Sequence, residues 1–151
     1  MRSLAILLVL GAACGSDVGS ATAPQQHRPT ATACAANPGA SPADQCTTDA
    51  DCADGGVCSC KGQTRGFAGA SPNNVCITAG CRVDADCGAG AVCSPTTDAQ
   101  CGAFFGIRGY YCHRASDACG NDSDCTDEPN GHCSFDLQSG RWGCFYTFCA
   151  G

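Results

Sequence analysis

The longest continuous apolar run in the chain is Leu4–Leu10, close to its N-terminus. Arg2 precedes this run, and three small residues at 11–13 follow it. A basic residue, an apolar stretch and small residues in this order predict a secretory signal peptide over residues 1–13. Seven apolar residues are too few for the roughly 20 that a helix needs to cross a bilayer, so we do not predict a transmembrane segment.

Residues 14–45 contain almost no large apolar side chain and are rich in Ala, Thr, Ser and Pro. A segment of this composition cannot bury enough apolar surface to offset the entropy lost on ordering. We therefore predict a disordered tether here, and we expect His27 and Arg28 within it to be solvated.

From residue 46 onward the apolar residues form short runs around turn residues, which is the pattern of β-hairpins. Aromatic runs flank Gly106–Gly109, and Ser134–Gln138 and Arg141–Phe148 flank the pair at 139–140. A looser version spans Lys61–Asn74, with its predicted turn at residues 72–74. No stretch has a helical period, and the aliphatic content is thin. The aliphatic residues are nearly all in this set: Val57, Val75, Ile77, Val83, Val92, Ile107 and Leu137.

Cysteine usage changes this picture, because 17 cysteines in 151 residues are typical of a disulfide scaffold in an oxidising compartment. The spacing C-x2-D-x-D-C occurs three times and divides the chain into unit one (46–80), unit two (81–118) and unit three (119–151). We predict a small disulfide-rich fold of three short β-hairpin/loop repeats in an array, with little or no helix beyond the signal peptide.

Sixteen cysteines are the predicted disulfide partners, and their connectivity stays open at this point. Each unit has five of them, so at least one bridge must cross a unit boundary or reach Cys34. The sixteen are Cys34, Cys46, Cys52, Cys58, Cys60, Cys76, Cys81, Cys87, Cys93, Cys101, Cys112, Cys119, Cys125, Cys133, Cys144 and Cys149.

The segment Leu10-Gly11-Ala12-Ala13-Cys14, together with the three C-x2-D-x-D-C repeats, resembles cysteine-rich bacterial lipoproteins of the myxobacterial type. The resemblance implies that Cys14 is the acylated mature N-terminus and that the protein is anchored to the outer membrane at the cell surface. The alternative is ordinary signal-peptide cleavage, with Cys14 a thiol or disulfide partner and the protein periplasmic or secreted. The family resemblance implies little about activity.

The repeated carboxylates are the first candidates for chemistry, because closely spaced carboxylates suit calcium. The candidate calcium ligands are Asp49, Asp51, Asp54, Asp84, Asp86, Asp122, Asp124 and Asp127. The competing interpretation is that the first aspartate of each pair caps a turn by accepting backbone N–H bonds. No other cofactor is expected.

Aromatic side chains are concentrated in units two and three. One interpretation is that they cover the disulfides and form the small core. The other is an exposed patch that stacks on sugars or anchors a partner protein. The residues of this predicted binding patch are Phe104, Phe105, Tyr110, Tyr111, Trp142 and Tyr146.

Catalysis is not expected, because the chain has no C-x2-C pair, no G-x-S-x-G motif and only two histidines outside the tether, His113 and His132. Fourteen acidic against eight basic residues argue against nucleic acid as a partner.

The sequence therefore favours an exported, lipid-anchored surface protein with a binding or structural role and an unknown protein or carbohydrate partner. The alternatives are an inhibitor of secreted proteases, with Arg65 or Arg108 as the inhibitory residue, and a calcium-dependent adhesion or assembly module.

Overall fold

A computed structural model describes residues 26–37, 43–66, 69–98 and 106–147. Several sequence predictions concern residues outside these ranges. They are the signal peptide over 1–13, acylation of Cys14, the bridges of Cys101 and Cys149, and the patch residues Phe104 and Phe105.

The described residues form eight short β-strands and four 3-10 turns, with no α-helix. Unit one contains β1 (Val57–Ser59), β2 (Arg65–Gly66), β3 (Gly69–Ala70) and β4 (Val75–Ala79); unit two contains β5 (Ala91–Asp98) and β6 (Gly106–Arg114); unit three contains β7 (Gly131–Asp136) and β8 (Arg141–Tyr146). The predicted small, disulfide-rich fold of short hairpins is confirmed. None of the described helical turns has the length and apolar character that a membrane span requires.

Seven disulfide bridges link the described cysteines, and six of them repeat one pattern. In each unit the first cysteine of the motif pairs with the third cysteine, and the second pairs with a cysteine on a later strand. The first kind of bridge is Cys46–Cys58, Cys81–Cys93 and Cys119–Cys133. The second kind is Cys52–Cys76, Cys87–Cys112 and Cys125–Cys144. The seventh, Cys34–Cys60, is the predicted bridge that reaches outside a unit.

Units one and two share a four-stranded sheet of strand order β1-β4-β6-β5. Its central pair, β4 and β6, is parallel and joins the two units, with Thr78 opposite Gly109. A Cβ on Gly109 would lie 2.9 Å from the Thr78 carbonyl oxygen and 2.8 Å from the Tyr111 ring. Only glycine fits this close approach of two strands. The prediction that Gly106–Gly109 form a hairpin turn is wrong, because these residues pair inside β6.

Unit three has its own two-stranded sheet, in which β7 and β8 pair antiparallel from Gly131 opposite Tyr146 to Asp136 opposite Arg141. The hairpin predicted around residues 139–140 is confirmed. In unit one the looser hairpin is the short pair of β2 and β3, and the predicted turn residues 72–74 lie directly before β4.

The core of the described residues consists of three small clusters, and cysteines outnumber aliphatic residues among the buried members of each. Two clusters cross a unit boundary, because Val57 packs with the buried cysteines of unit two and Tyr111 packs with those of unit three. Val57 is fully buried, whereas Leu137 is 66% exposed. Below about 70–80 residues per core, natural proteins need covalent staples, and each disulfide typically stabilises by about 2–4 kcal/mol. The disulfides therefore replace the missing aliphatic core.

The N-terminal arm, residues 26–37, packs against units one and two. The expectation that Arg28 is solvated is wrong, because this residue is only 7% exposed. Its backbone N–H donates to the Cys93 carbonyl (2.8 Å) and its carbonyl accepts from the Asp84 N–H (2.9 Å). His27 is exposed as expected, but it contacts Asp84. The composition of this segment did not predict its order. The order comes from hydrogen bonds, the ion pair of Arg28 with Asp49 and the Cys34 bridge, and not from apolar burial.

Candidate functional site

The first aspartate of each motif reaches across its unit to the main chain of the third cysteine. Asp49 Oδ1 accepts the Cys58 N–H at 3.0 Å in unit one. The corresponding bonds are Cys93 N–H to Asp84 at 2.9 Å and Cys133 N–H to Asp122 at 2.9 Å. In each unit the first aspartate therefore holds the strand that carries the third cysteine. The prediction that it caps a turn does not describe this bond.

The second aspartate of each motif is the turn cap. Asp51 Oδ2 accepts the backbone N–H groups of Thr47 and Thr48, both at 2.8 Å. Asp86 accepts those of Arg82 (2.7 Å) and Val83 (3.0 Å), and Asp124 those of Gly120 (2.7 Å) and Asn121 (3.1 Å). Backbone N–H bonds stabilise the charged carboxylate, so they lower the pKa of Asp51 and of Asp86.

A nitrogen-bearing side chain of the arm meets the first aspartate of unit one and of unit two. Arg28 Nη1 lies 2.7 Å from Asp49 Oδ2 and Nη2 lies 3.0 Å from Oδ1, a bidentate and buried pair. Burial raises the pKa of Asp49, but the Arg28 hydrogen bonds, the Cys58 N–H and the nearby charges outweigh it and leave this pKa lowered. In unit two, His27 Nδ1 lies 2.7 Å from Asp84 Oδ2.

The other predicted calcium ligands do not converge with these carboxylates in the described part of the chain. Asp54 and Asp127 are both exposed. The groups of three or more potential metal ligands found among the described residues consist of disulfide-bonded cysteines. Calcium binding stays a prediction, and a calcium ion at the motif would compete with backbone N–H donors for the same oxygens.

Three residues of the predicted aromatic patch are buried: Trp142 is 4%, Tyr110 7% and Tyr111 9% exposed. Their burial supports the interpretation that the aromatic side chains form part of the core. Burial raises the pKa of both tyrosines, with opposing charge effects from Arg28 at Tyr110 and from Arg108 at Tyr111. Of the described patch residues, only Tyr146 is half-buried.

Four stacked rings tie unit two to unit three. Tyr111 stacks on Phe135 with ring centroids 4.0 Å apart, and His113 stacks on Trp142 at 4.0 Å. Phe135 meets Trp142 edge-on at 5.8 Å. The Trp142 indole N–H donates to the Cys112 carbonyl at 2.9 Å, and His113 Nε2 donates to the Cys119 carbonyl at 2.7 Å. His113 is only 2% exposed, and the other histidine outside the tether, His132, is half-buried with its ring 6.1 Å from that of Phe145.

An open depression of about 560 Å³, which we call the aromatic groove, lies where units two and three meet. Its volume is within the usual range of about 300–1,000 Å³ for small-molecule sites. The groove combines rings with polar side chains, and its lining includes Arg108, Tyr111, Asp136, Gln138, Phe145 and Tyr146. It is the candidate functional site.

Polar groups of the aromatic groove are held in place by local bonds. Asp136 accepts the backbone N–H groups of Gln138 (3.0 Å) and Ser139 (3.2 Å). Hydrogen bonds from the Ser139 side chain and then the Gln138 N–H lower the pKa of Asp136, so this carboxylate is anionic at neutral pH. Arg108 is exposed and supplies the opposite charge.

Phe145 is 39% exposed in the aromatic groove, and the predicted patch did not include it. The signal was present in the sequence. Side chains alternate across a strand, so the neighbours of the buried Trp142 and of Cys144 point the other way, and Phe145 is one of them. What the sequence could not show is that Tyr111 and Gln138, far apart in the chain, line the same groove.

The predicted inhibitory arginines have different positions. Arg65 begins the short strand β2, and Arg108 lies inside β6 and not on a loop. A protease inhibitor presents its inhibitory residue on an exposed loop outside paired strands. The position of Arg108 inside a strand therefore does not favour the protease-inhibitor hypothesis.

No protein-family model, no curated protein and no solved structure matches this chain. The seven bridges nevertheless mark it as a protein of an oxidising, non-cytoplasmic compartment.

Proposed function

We propose that this protein is an exported, lipid-anchored surface protein that binds an oligosaccharide in the aromatic groove and has no catalytic activity. The observation that carries the proposal is an exposed ring, Phe145, beside hydrogen-bonding side chains in a groove of about 560 Å³. A sugar offers both an apolar ring face and many hydroxyl groups, and this combination of groups is complementary to it.

A protein partner is less well matched to the same surface. Stable protein interfaces bury about 800 Å² on each partner and have an apolar centre. Around the aromatic groove the exposed large apolar side chains are Leu137 and Phe145, and the other lining residues named above are charged, amide-bearing or hydroxyl-bearing. The apolar area supports a ligand of a few sugar rings better than a large protein surface.

The test is a titration of the isotope-labelled protein with chitohexaose, cellohexaose and maltohexaose, followed by amide chemical shifts. We expect one of them to move the signals of Gln138, Phe145 and Tyr146, and Phe145→Ala to weaken this binding several-fold. Arg114→Ala changes an exposed residue outside the groove and is the control. No shift with any of the sugars, or equal binding by Phe145→Ala, would contradict the proposal; a purified protein that competes for the same signals would favour the protein-binding alternative.

Anchoring is tested separately by intact mass spectrometry of the mature protein before and after reduction. Acylation of Cys14 adds the mass of its lipid chains, and anchoring by more than one chain is stable, with about 0.8 kcal/mol for each buried methylene. A mature N-terminus without added mass would refute the lipid anchor and leave the sugar-binding proposal intact.

A further inference from the structure

Unit three lacks a contact that its two sister units have, within the described part of the chain. The first aspartate binds the Arg28 guanidinium in unit one and the His27 imidazole in unit two. Asp122 makes the same bond to the strand cysteine, from the Cys133 N–H at 2.9 Å, but no cation among the described residues meets its carboxylate. Asp122 therefore has the position and the backbone bond of Asp49 but no cationic partner among the described residues.

Asp122 lines a cleft of about 210 Å³ between units two and three, which we call the Asp122 cleft. Its other walls include Ser94, His113, Asn121 and Trp142. The volume is below the usual range of about 300–1,000 Å³ for drug-sized ligands, so it suits a single side chain.

Two buried polar atoms in the walls of the Asp122 cleft have no hydrogen-bond partner among the described residues. They are Ser94 Oγ, in a residue only 2% exposed, and Asn121 Nδ2. Asn121 Oδ1, by contrast, is occupied, because it accepts the N–H and the hydroxyl of Ser123. A buried polar group without a hydrogen-bond partner is unfavourable, so a ligand that satisfies both atoms gains affinity.

We propose that the Asp122 cleft binds an arginine side chain presented by a partner polypeptide. Asp122 accepts the guanidinium N–H groups as Asp49 does from Arg28, and Ser94 Oγ accepts a further one. Asn121 Nδ2 is a donor and pairs with a carbonyl oxygen of the partner's main chain. A free guanidinium ion lacks this carbonyl group and binds more weakly.

The full chain is titrated with N-acetyl-arginine N-methylamide, methylguanidinium, methylammonium and the neutral methylurea. Trp142 is the single tryptophan and lines the Asp122 cleft, so its fluorescence and its indole N–H resonance report binding directly. We expect the arginine amide to bind most tightly, methylguanidinium and then methylammonium to follow, and methylurea to produce no change.

Asp122→Asn keeps an oxygen that accepts the Cys133 N–H but removes the charge, and we expect it to weaken arginine binding at least about tenfold. Asp127→Asn makes the same charge change outside the cleft and is the matched control. Ser94→Ala tests the hydroxyl if Asp122→Asn is unstable. Equal binding of methylurea and methylguanidinium, unchanged binding by both cleft variants, or no response to the arginine amide at tens of millimolar would overturn the proposal. None of these results bears on the aromatic groove.

Discussion

The joint between units one and two is made by the main chain, whereas the joint between units two and three is made by side chains. At the first joint β4 and β6 pair in parallel, and the backbone of Arg28 bonds to Cys93 and Asp84. At the second, no backbone-to-backbone hydrogen bond joins the units in the described residues. Stacked rings and a hydrogen bond between the hydroxyls of Thr96 and Ser134 at 2.6 Å connect them instead.

This difference shows how one repeat gives two kinds of surface. The cysteines and aspartates of the motif build the same small unit three times, but they do not specify how neighbouring units meet. Between units one and two the arm forms part of the lining of an open depression of about 490 Å³, in which Arg28 lies beside Tyr110. Side chains that meet across units two and three leave gaps, and the aromatic groove and the Asp122 cleft are both there.

The largest expected effect is at the main-chain joint, where Arg28→Ala leaves the Asp49 carboxylate buried without its cation. Breaking a buried ion pair by removing one partner costs about 3–5 kcal/mol. Urea unfolding of the oxidised protein measures the loss. His27→Ala removes the exposed pair with Asp84 and is the control, with an expected cost of about 0–1 kcal/mol. Similar costs for the two variants would mean that the arm does not stabilise the joint as described.

Removal of the Cys125–Cys144 bridge by a double substitution to alanine tests the independence of unit three. The bridge is expected to contribute about 2–4 kcal/mol. Because β7 and β8 form their own sheet, we expect unit three to lose amide protection while units one and two keep theirs. Hydrogen exchange read by residue measures this. Loss of protection throughout the chain would show that the side-chain joint is as cooperative as the main-chain joint.

The repeat itself is predictable from the sequence, and its joints are not. The spacing of Cys46, Asp49 and Cys52 recurs in all three units, and the structure repeats the same bridges and N–H bonds at each. The short hairpin of unit three also follows from its alternating pattern, because a two-stranded sheet depends on contacts that are local in the chain.

Arg28 and Gly109 show why the rest was missed. Arg28 lies in a segment whose composition is typical of disorder, and its order depends on Asp49, a partner beyond the segment. Gly109 has the neighbours of a turn residue, but it is selected by the approach of β4. Long-range contacts leave no periodic trace in the sequence, so the groove and the cleft where units two and three meet could not be predicted either.

Thr96→Val probes the side-chain joint with a smaller expected effect. Thr96 Oγ1 bonds to Ser134 Oγ and accepts the Phe135 N–H at 2.9 Å, so its loss leaves this N–H unpaired and costs about 1–3 kcal/mol. Thr97→Val is the matched control, because the bond of Thr97 to Ser134 uses its carbonyl oxygen. We expect urea unfolding to separate the two variants; equal stability would mean that the rings alone hold the joint.

The smallest expected effect is a pH dependence that belongs to the repeat and not to either joint. Backbone N–H bonds lower the pKa of Asp86 below its usual 3.8. A carboxyl group with a lowered folded-state pKa contributes stability above its unfolded-state pKa and loses this contribution as the pH falls through the folded-state value. The free energy of unfolding should therefore decline below about pH 4.

Asp86→Asn has no charge to lose at this position, and it keeps an acceptor for the N–H groups of Arg82 and Val83 at every pH. The decline of its free energy of unfolding should therefore be shallower. Urea unfolding from about pH 6 to about pH 2 measures both curves, and parallel curves would show that the N–H bonds to Asp86 do not favour its charged form.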